Sequence, residues 1–135
     1  MKKIILFTAL AFLLMLPSPG LAEWAKVSAT ESGSTTFYID LDTIKKAKGF
    51  IYFWGLADYL EPSKYGTLSL ANYTKGDCGT MKEMELSLMS YRGSMGKGSP
   101  SDSWLPEKEW VYNPPGSTGE EILRTVCEYA KKNLK

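Results

Sequence analysis

Residues 50–60, FIYFWGLADYL, are apolar on both alternating faces: Phe50, Tyr52, Trp54 and Leu56 on one, Ile51, Phe53 and Ala57 on the other. Such a run predicts a β-strand that needs cover on both sides. Residues 81–91 alternate differently, with Met84, Leu86 and Leu88 on one face and Glu83, Glu85 and Ser87 on the other. That pattern predicts a half-buried antiparallel strand. Shorter strands are expected around 24–28, 35–40 and 68–73, the first two joined by a polar turn through 31–34. The segment DLDTIKKAKG, with Asp40, Asp42 and lysines 45, 46 and 48, is expected as a solvated helical turn or long loop. Residues 74–80 should turn the chain before the strand at 81–91. Residues 92–110 are rich in Gly, Ser and Pro and predict a flexible surface loop, with a last short strand at 110–112.

The C-terminal stretch is the one clear helix. Ser117 and Glu120 have capping-box spacing, Glu120 and Glu121 fall in the first turn, and Lys131 and Lys132 lie near the end. Ile122, Leu123, Val126, Ala130 and Leu134 form one stripe, opposite Arg124, Glu128 and Lys132. The expected fold is therefore α+β: an antiparallel sheet of about five or six strands packed against one C-terminal α-helix. Counting back in steps of two from Leu88 places Cys78 on the strand's apolar side, provided no bulge intervenes, and Cys127 at the edge of the helix stripe.

The N-terminus alters the compartment. Lys2 and Lys3, an apolar run to Leu16, Pro17, Pro19 and the small residues Gly20 and Ala22 read as a secretory signal peptide over 1–22, cleaved between Ala22 and Glu23. The run is shorter than the roughly 20 apolar residues of a membrane span. No cysteine stands near the cleavage point, so a lipid anchor is not expected. Residues 23–135 then make one domain, exported through the Sec pathway to the periplasm or beyond. Of 16 basic and 15 acidic residues, two lysines lie in the signal, leaving the mature chain near neutrality. Such a balance does not favour nucleic acid or an anionic membrane as partner. In an exported domain, two cysteines are most simply one disulfide, Cys78 to Cys127.

Candidate chemistry is sparse. The chain has no histidine, which removes Cys–His and Ser–His–Asp catalysis and histidine-ligated zinc. Ser94 and Lys97 match S-x-x-K, but the glycines at 96 and 98 oppose the helix that such chemistry needs. Glu83 and Glu85 would lie about 7 Å apart on one strand face, a spacing that can serve glycoside hydrolysis but more often marks a solvated face. No cofactor is implied. The aromatics Trp24, Tyr65, Tyr91, Trp104 and Trp110 stand near strand ends and loops, and Tyr91, Arg92, Lys97 and Trp104 are the candidate partner contacts.

Several pieces in order resemble the surface-adhesin E family of exported bacterial domains: EWAKV, FYIDLDTIKK, FWGLADY, the strand-leading Cys78, LSLMSYRGSMGKG and WVYNPPGSTGEEILRTVC. The resemblance implies an antiparallel sheet packed against a C-terminal helix, bridged cysteines, and an adhesin-type role toward host matrix and plasma proteins. The expected function is thus an exported, non-enzymatic binding module with a protein partner. A periplasmic envelope-associated factor and an exported hydrolase using Glu83 and Glu85 are the alternatives. Self-association through the aromatic strand around Trp54 is a further expectation.

Overall fold

The structure is a computed structural model that describes residues 23–135; residues 1–22, the segment expected as a signal peptide ending at Ala22, lie outside the described residues. Eight strands form one antiparallel sheet: β1 (Trp24–Ala29), β2 (Thr35–Asp40), β3 (Lys45–Ala47), β4 (Phe50–Tyr59), β5 (Ser69–Asp77), β6 (Lys82–Tyr91), β7 (Asp102–Trp104) and β8 (Val111–Tyr112). Their order is β1-β2-β4-β5-β6-β7, with β3 also paired to β4 and β8 to β6. One helix, α1 (Thr118–Asn133), follows. Five strands of six to ten residues carry the sheet, and three of two or three residues trim its rims.

The register divides the sheet into two faces. The helix face carries Phe37 and Ile39 of β2, Ile51 and Phe53 of β4, and Thr74 and Gly76 of β5. Ile39, Ile51 and Phe53 pack there with Ile44 and with Leu123, Val126 and Ala130 of α1 into the core. A β-carbon on Gly76 would lie 2.8 Å from Leu123 Cδ1, so the absent side chain is what lets the helix approach β5 closely.

The helix forms as its sequence dictates. Ser117 Oγ accepts from the Glu120 amide at 3.2 Å, and Glu120 Oε1 accepts from the Gly116 amide at 3.3 Å. Arg124 pairs with Glu120 one turn on. Ser28 Oγ of β1 donates to Glu121 at 2.7 Å, and Lys46 Nζ of β3 donates to the Leu134 carbonyl at 3.2 Å. The Cys78–Cys127 disulfide, with its Cα atoms 5.8 Å apart, fastens the middle.

Three expectations need correction. First, the segment after β2 is a short 3-10 turn, Leu41–Thr43, leading into a true β-hairpin of β3 and β4. Lys48 and Gly49 both take positive φ, the two-residue turn whose twist matches paired strands. Second, β5 runs on to Asp77, so the chain turns only at Cys78, which is exposed.

Third, β6 is not a continuous alternation. The pairing to β5 slips between Tyr73 and Thr74, Tyr73 opposing Ser87 and Thr74 opposing Glu85, which leaves Leu86 as the extra residue of a bulge. Beyond it the inside–outside phase inverts: Glu83 and Glu85 join Leu88 on the helix face, and Met84 turns to the other side. A second bulge interrupts β1 at Val27. Cys78 reaches Cys127 even though it does not share a face with Met84.

Candidate functional site: a cleft beyond the helix

Helix α1 covers only part of its face. At the free end, the tip of β4, the start of β5, the end of β6 and β7 enclose a cleft of about 770 Å³ whose walls include Tyr59, Tyr65, Leu70, Arg92, Asp102 and Trp104. Each side chain is placed by pairing. Trp104 opposes Leu88 and Asp102 opposes Ser90, so both project on the helix face, as does Arg92 two residues after Ser90. The long connection is pinned where it returns, because Ser101 N donates to the Ser90 carbonyl at 2.8 Å and the two serine hydroxyls lie 3.1 Å apart.

The opposite wall is the 60–68 turn. Ser63 N donates to the Thr67 carbonyl at 2.9 Å and Gly66 N to the Ser63 carbonyl at 2.8 Å, presenting Tyr65 outward with Lys64 Nζ 4.9 Å from its ring centre. Tyr65 is 75% exposed, Trp104 42% and the adjoining Leu105 79%, so the cleft has an unusually apolar mouth. Arg92 makes no ion pair; among the described residues the one salt bridge is Arg124–Glu120. Burial raises the Tyr59 hydroxyl above its ordinary range.

Of the four partner contacts expected from sequence, Arg92 and Trp104 meet in this cleft. Tyr91 points to the other face, its hydroxyl 3.6 Å from Met89 Sδ, and Lys97 is exposed on a separate turn. Tyr65 carried a signal, an aromatic in a polar turn, whereas Tyr59 and Asp102 carried none. The glycine segment after Tyr91 is ordered by contacts. Met95 N donates to Asp58 at 2.7 Å, Gly96 N to Ser69 Oγ at 2.9 Å, and Ser69 Oγ to the Gly93 carbonyl at 2.6 Å. Ser94–Gly96 is a tight turn over Leu56 and not the helix of a Ser–Lys site.

Glu83 and Glu85 line two small grooves of about 230 and 270 Å³, one apolar against Phe53 and Ile122, the other acidic with Glu107 and Glu109. Burial pushes the Glu83 carboxyl up; the Asn113 amide beside it opposes this, though its Nδ2 meets no hydrogen-bond geometry, and the Glu85 charge adds to the rise. A native carboxyl with a raised pKa holds a proton that the unfolded chain releases. Its contribution to stability is therefore full below the ordinary carboxylate range and is lost as pH rises through the native pKa. Glu83→Gln should raise the melting temperature at neutral pH and change it little near pH 4; an equal shift at both would mean that the carboxyl's charge is not what matters. Among the described residues no group of three or more His, Cys, Asp or Glu is placed to hold a metal ion.

An antiparallel sheet with one docked, disulfide-tethered helix and an aromatic cleft beyond it defines a small α+β domain of one sheet and one helix. The family model of surface-adhesin protein E matches residues 24–128, and the chain belongs to that family. Its fold is similar to solved structures of Haemophilus influenzae protein E. One has 17% identity, a TM-score of 0.60 and coverage of 89% of this chain and 96% of that one. Another, from the non-typeable organism, has 16% identity, a TM-score of 0.58 and coverage of 87% and 83%. No curated protein sequence matches the chain. No helix among the described residues is long and apolar enough to cross a membrane.

Proposed function

We propose that the protein is an exported, non-enzymatic binding module whose cleft takes a protein partner, in the manner of a surface adhesin. The observation that carries this reading is the exposed trio Tyr65, Trp104 and Leu105 beside an Arg92 that makes no ion pair among the described residues, though Glu61 and Asp102 line the same cleft. Aromatic and arginine side chains dominate the energetics of protein interfaces, and an arginine not clasped by a carboxylate keeps its donors for a partner. Membership of the surface-adhesin protein E family directs the search for that partner to proteins outside the cell, host matrix and plasma proteins first.

The test is surface plasmon resonance of residues 23–135 against a panel of matrix and plasma proteins. Trp104→Ala and Arg92→Ala should each weaken a saturable interaction by about thirtyfold, the effect of an interface hot spot, without lowering the melting temperature. Absence of any saturable partner, or binding unchanged by both substitutions, overturns the reading.

The raised Glu83 carboxyl beside Glu85 favours one second reading, a hydrolase. Against it, both grooves are smaller than the roughly 300–1,000 Å³ of ordinary small-molecule sites. Hydrolysis of a glycan or peptide library that vanishes in Glu83→Gln would establish it.

A further inference from the structure

The face of the sheet opposite the helix is not the polar surface that a solvated antiparallel face normally presents. Phe50, Tyr52 and Trp54 of β4, Tyr73 of β5 and Trp110 before β8 lie there as a row of half-buried rings. Trp54 stacks on Tyr73 at 5.0 Å between centres, Tyr73 meets Tyr52 at 6.2 Å, and Phe50 meets Trp110 at 5.5 Å, all tilted by about 30°. The sequence pattern calls for cover over this side of β4. Among the described residues the 94–96 turn covers its Leu56 end and Trp110 flanks its Phe50 end, while Tyr52 and Trp54 between them stay half-exposed.

Two lysines stand within the row. Lys75 Nζ lies 4.2 Å from the Phe50 ring centre, 5.6 Å from Trp110 and 5.9 Å from Tyr52, and Lys82 Nζ lies 4.9 Å from Trp110. The rings fix where the ammonium groups stand. Neither ammonium donates a hydrogen bond to the described chain or has a carboxylate within 4.0 Å. The acids on this face are otherwise engaged. Asp40 accepts from the Asp42 amide, Asp58 from Met95, and Asp77 from Gly79 and Thr80. Lys26 and Lys45 add exposed cations at register positions on the same face. Those hydrogen bonds leave the carboxylate charges in place, and Asp77 stands opposite Lys82 in the register, so the cation this face offers to a negatively charged ligand is chiefly Lys75, ringed by Phe50, Tyr52 and Trp110, with Lys26 and Lys45 at the margin.

We propose that this face binds a linear acidic polysaccharide, one whose sugar rings carry carboxylates. The slightly positive C–H edges of a sugar suit the negative face of an aromatic ring, and a carboxylate on the same sugar reaches a neighbouring ammonium in a charge-assisted hydrogen bond. A shallow row of rings fits an extended chain of repeating units better than the deep pockets that anchor protein hot spots. Nucleic acid is held chiefly through its phosphates and needs a broad basic footprint, whereas this row offers mostly ring faces with two ammonium groups among them, so most of the contact must come from the faces of the ligand's own sugars. This surface lies on the opposite side of the sheet from the Arg92–Trp104 cleft and stands independently of it.

The experiment titrates residues 23–135 with sodium polygalacturonate, following tryptophan fluorescence and calorimetry. Saturable binding that weakens with salt is expected, with no response to neutral dextran and no competition by single-stranded poly(dT). Lys75→Gln with Lys82→Gln, and separately Trp54→Ala, should each lower affinity by about tenfold or more, while Arg92→Ala leaves it unchanged. The lysine pair keeps the test valid if Trp54→Ala fails to fold, because those ammonium groups make no hydrogen bond or ion pair within the described chain. No binding, equal binding of dextran, tighter binding of poly(dT), or affinity indifferent to the lysine substitutions overturns the proposal.

Discussion

Replacing Cys78 and Cys127 by serine should lower the free energy of unfolding by about 4 kcal/mol. The bridge closes a sequence separation of 49, and the chain-entropy cost of leaving a loop of that length open is of this size. For a domain of this size the melting temperature would fall by about 15–25 °C. Helix α1 would then rest on three buried side chains, Leu123, Val126 and Ala130, and on polar ties to Ser28 and Lys46. Urea unfolding of the wild type and the double variant, with and without reductant, checks this. A difference below about 1 kcal/mol would mean that the bridge constrains the unfolded chain far less than loop-closure entropy requires.

Phe53→Ala should destabilise the fold nearly as much, by about 3–5 kcal/mol. The ring is 1% exposed, among the largest fully buried side chains, and sits where β4 meets α1. The contrast with Phe50, three residues earlier on the opposite face, makes the expectation sharper. Phe50 is half-buried against Trp110 and Lys75, and its removal should cost about 1–2 kcal/mol. Equal costs for the two would mean that the open face is as much a core as the helix side. Denaturant midpoints of both variants decide it.

What the sequence made legible, and what it hid, follows from how far each signal reaches. The helix was legible to its caps, because Ser117, Glu120 and the Leu123–Val126–Ala130 stripe are local features that tertiary contacts reinforce. The disulfide was legible from cysteine number and compartment. The β6 bulge was not. Met84, Leu86 and Leu88 read as unbroken alternation, and only pairing to β5 reveals that Leu86 is the extra residue, with Glu83 and Glu85 turned inward below it. Strand β3 was hidden for another reason: all three residues, Lys45, Lys46 and Ala47, are exposed, so no apolar pattern marks them.

The same limit applies to the cleft. Arg92 and Trp104 drew notice as residue types, but their meeting depends on β7 folding back onto β6, which composition does not encode. Tyr91 was separated from Arg92 by nothing more than the pleat, successive side chains of a strand leaving on opposite faces. The aromatic row could be listed from residues 50–54, yet its joining to Tyr73, Lys75 and Trp110 required the register of three strands. The backbone of β4 is paired on both sides, by β2 and β3 on one and β5 on the other. Self-association around Trp54 would therefore have to use ring faces and not added strand pairing.

The rims of the sheet bear on the protein's behaviour at high concentration. On one side β1 is kinked by its Val27 bulge and presents exposed Lys26; on the other, β7 and β8 are fragments of three and two residues. A long, flat, unpaired strand is a template for runaway aggregation, and neither border offers one. The domain can thus display apolar rings and an open cleft in quantity without its backbone seeding fibrils, so that sticking is confined to side chains, where it can be selective.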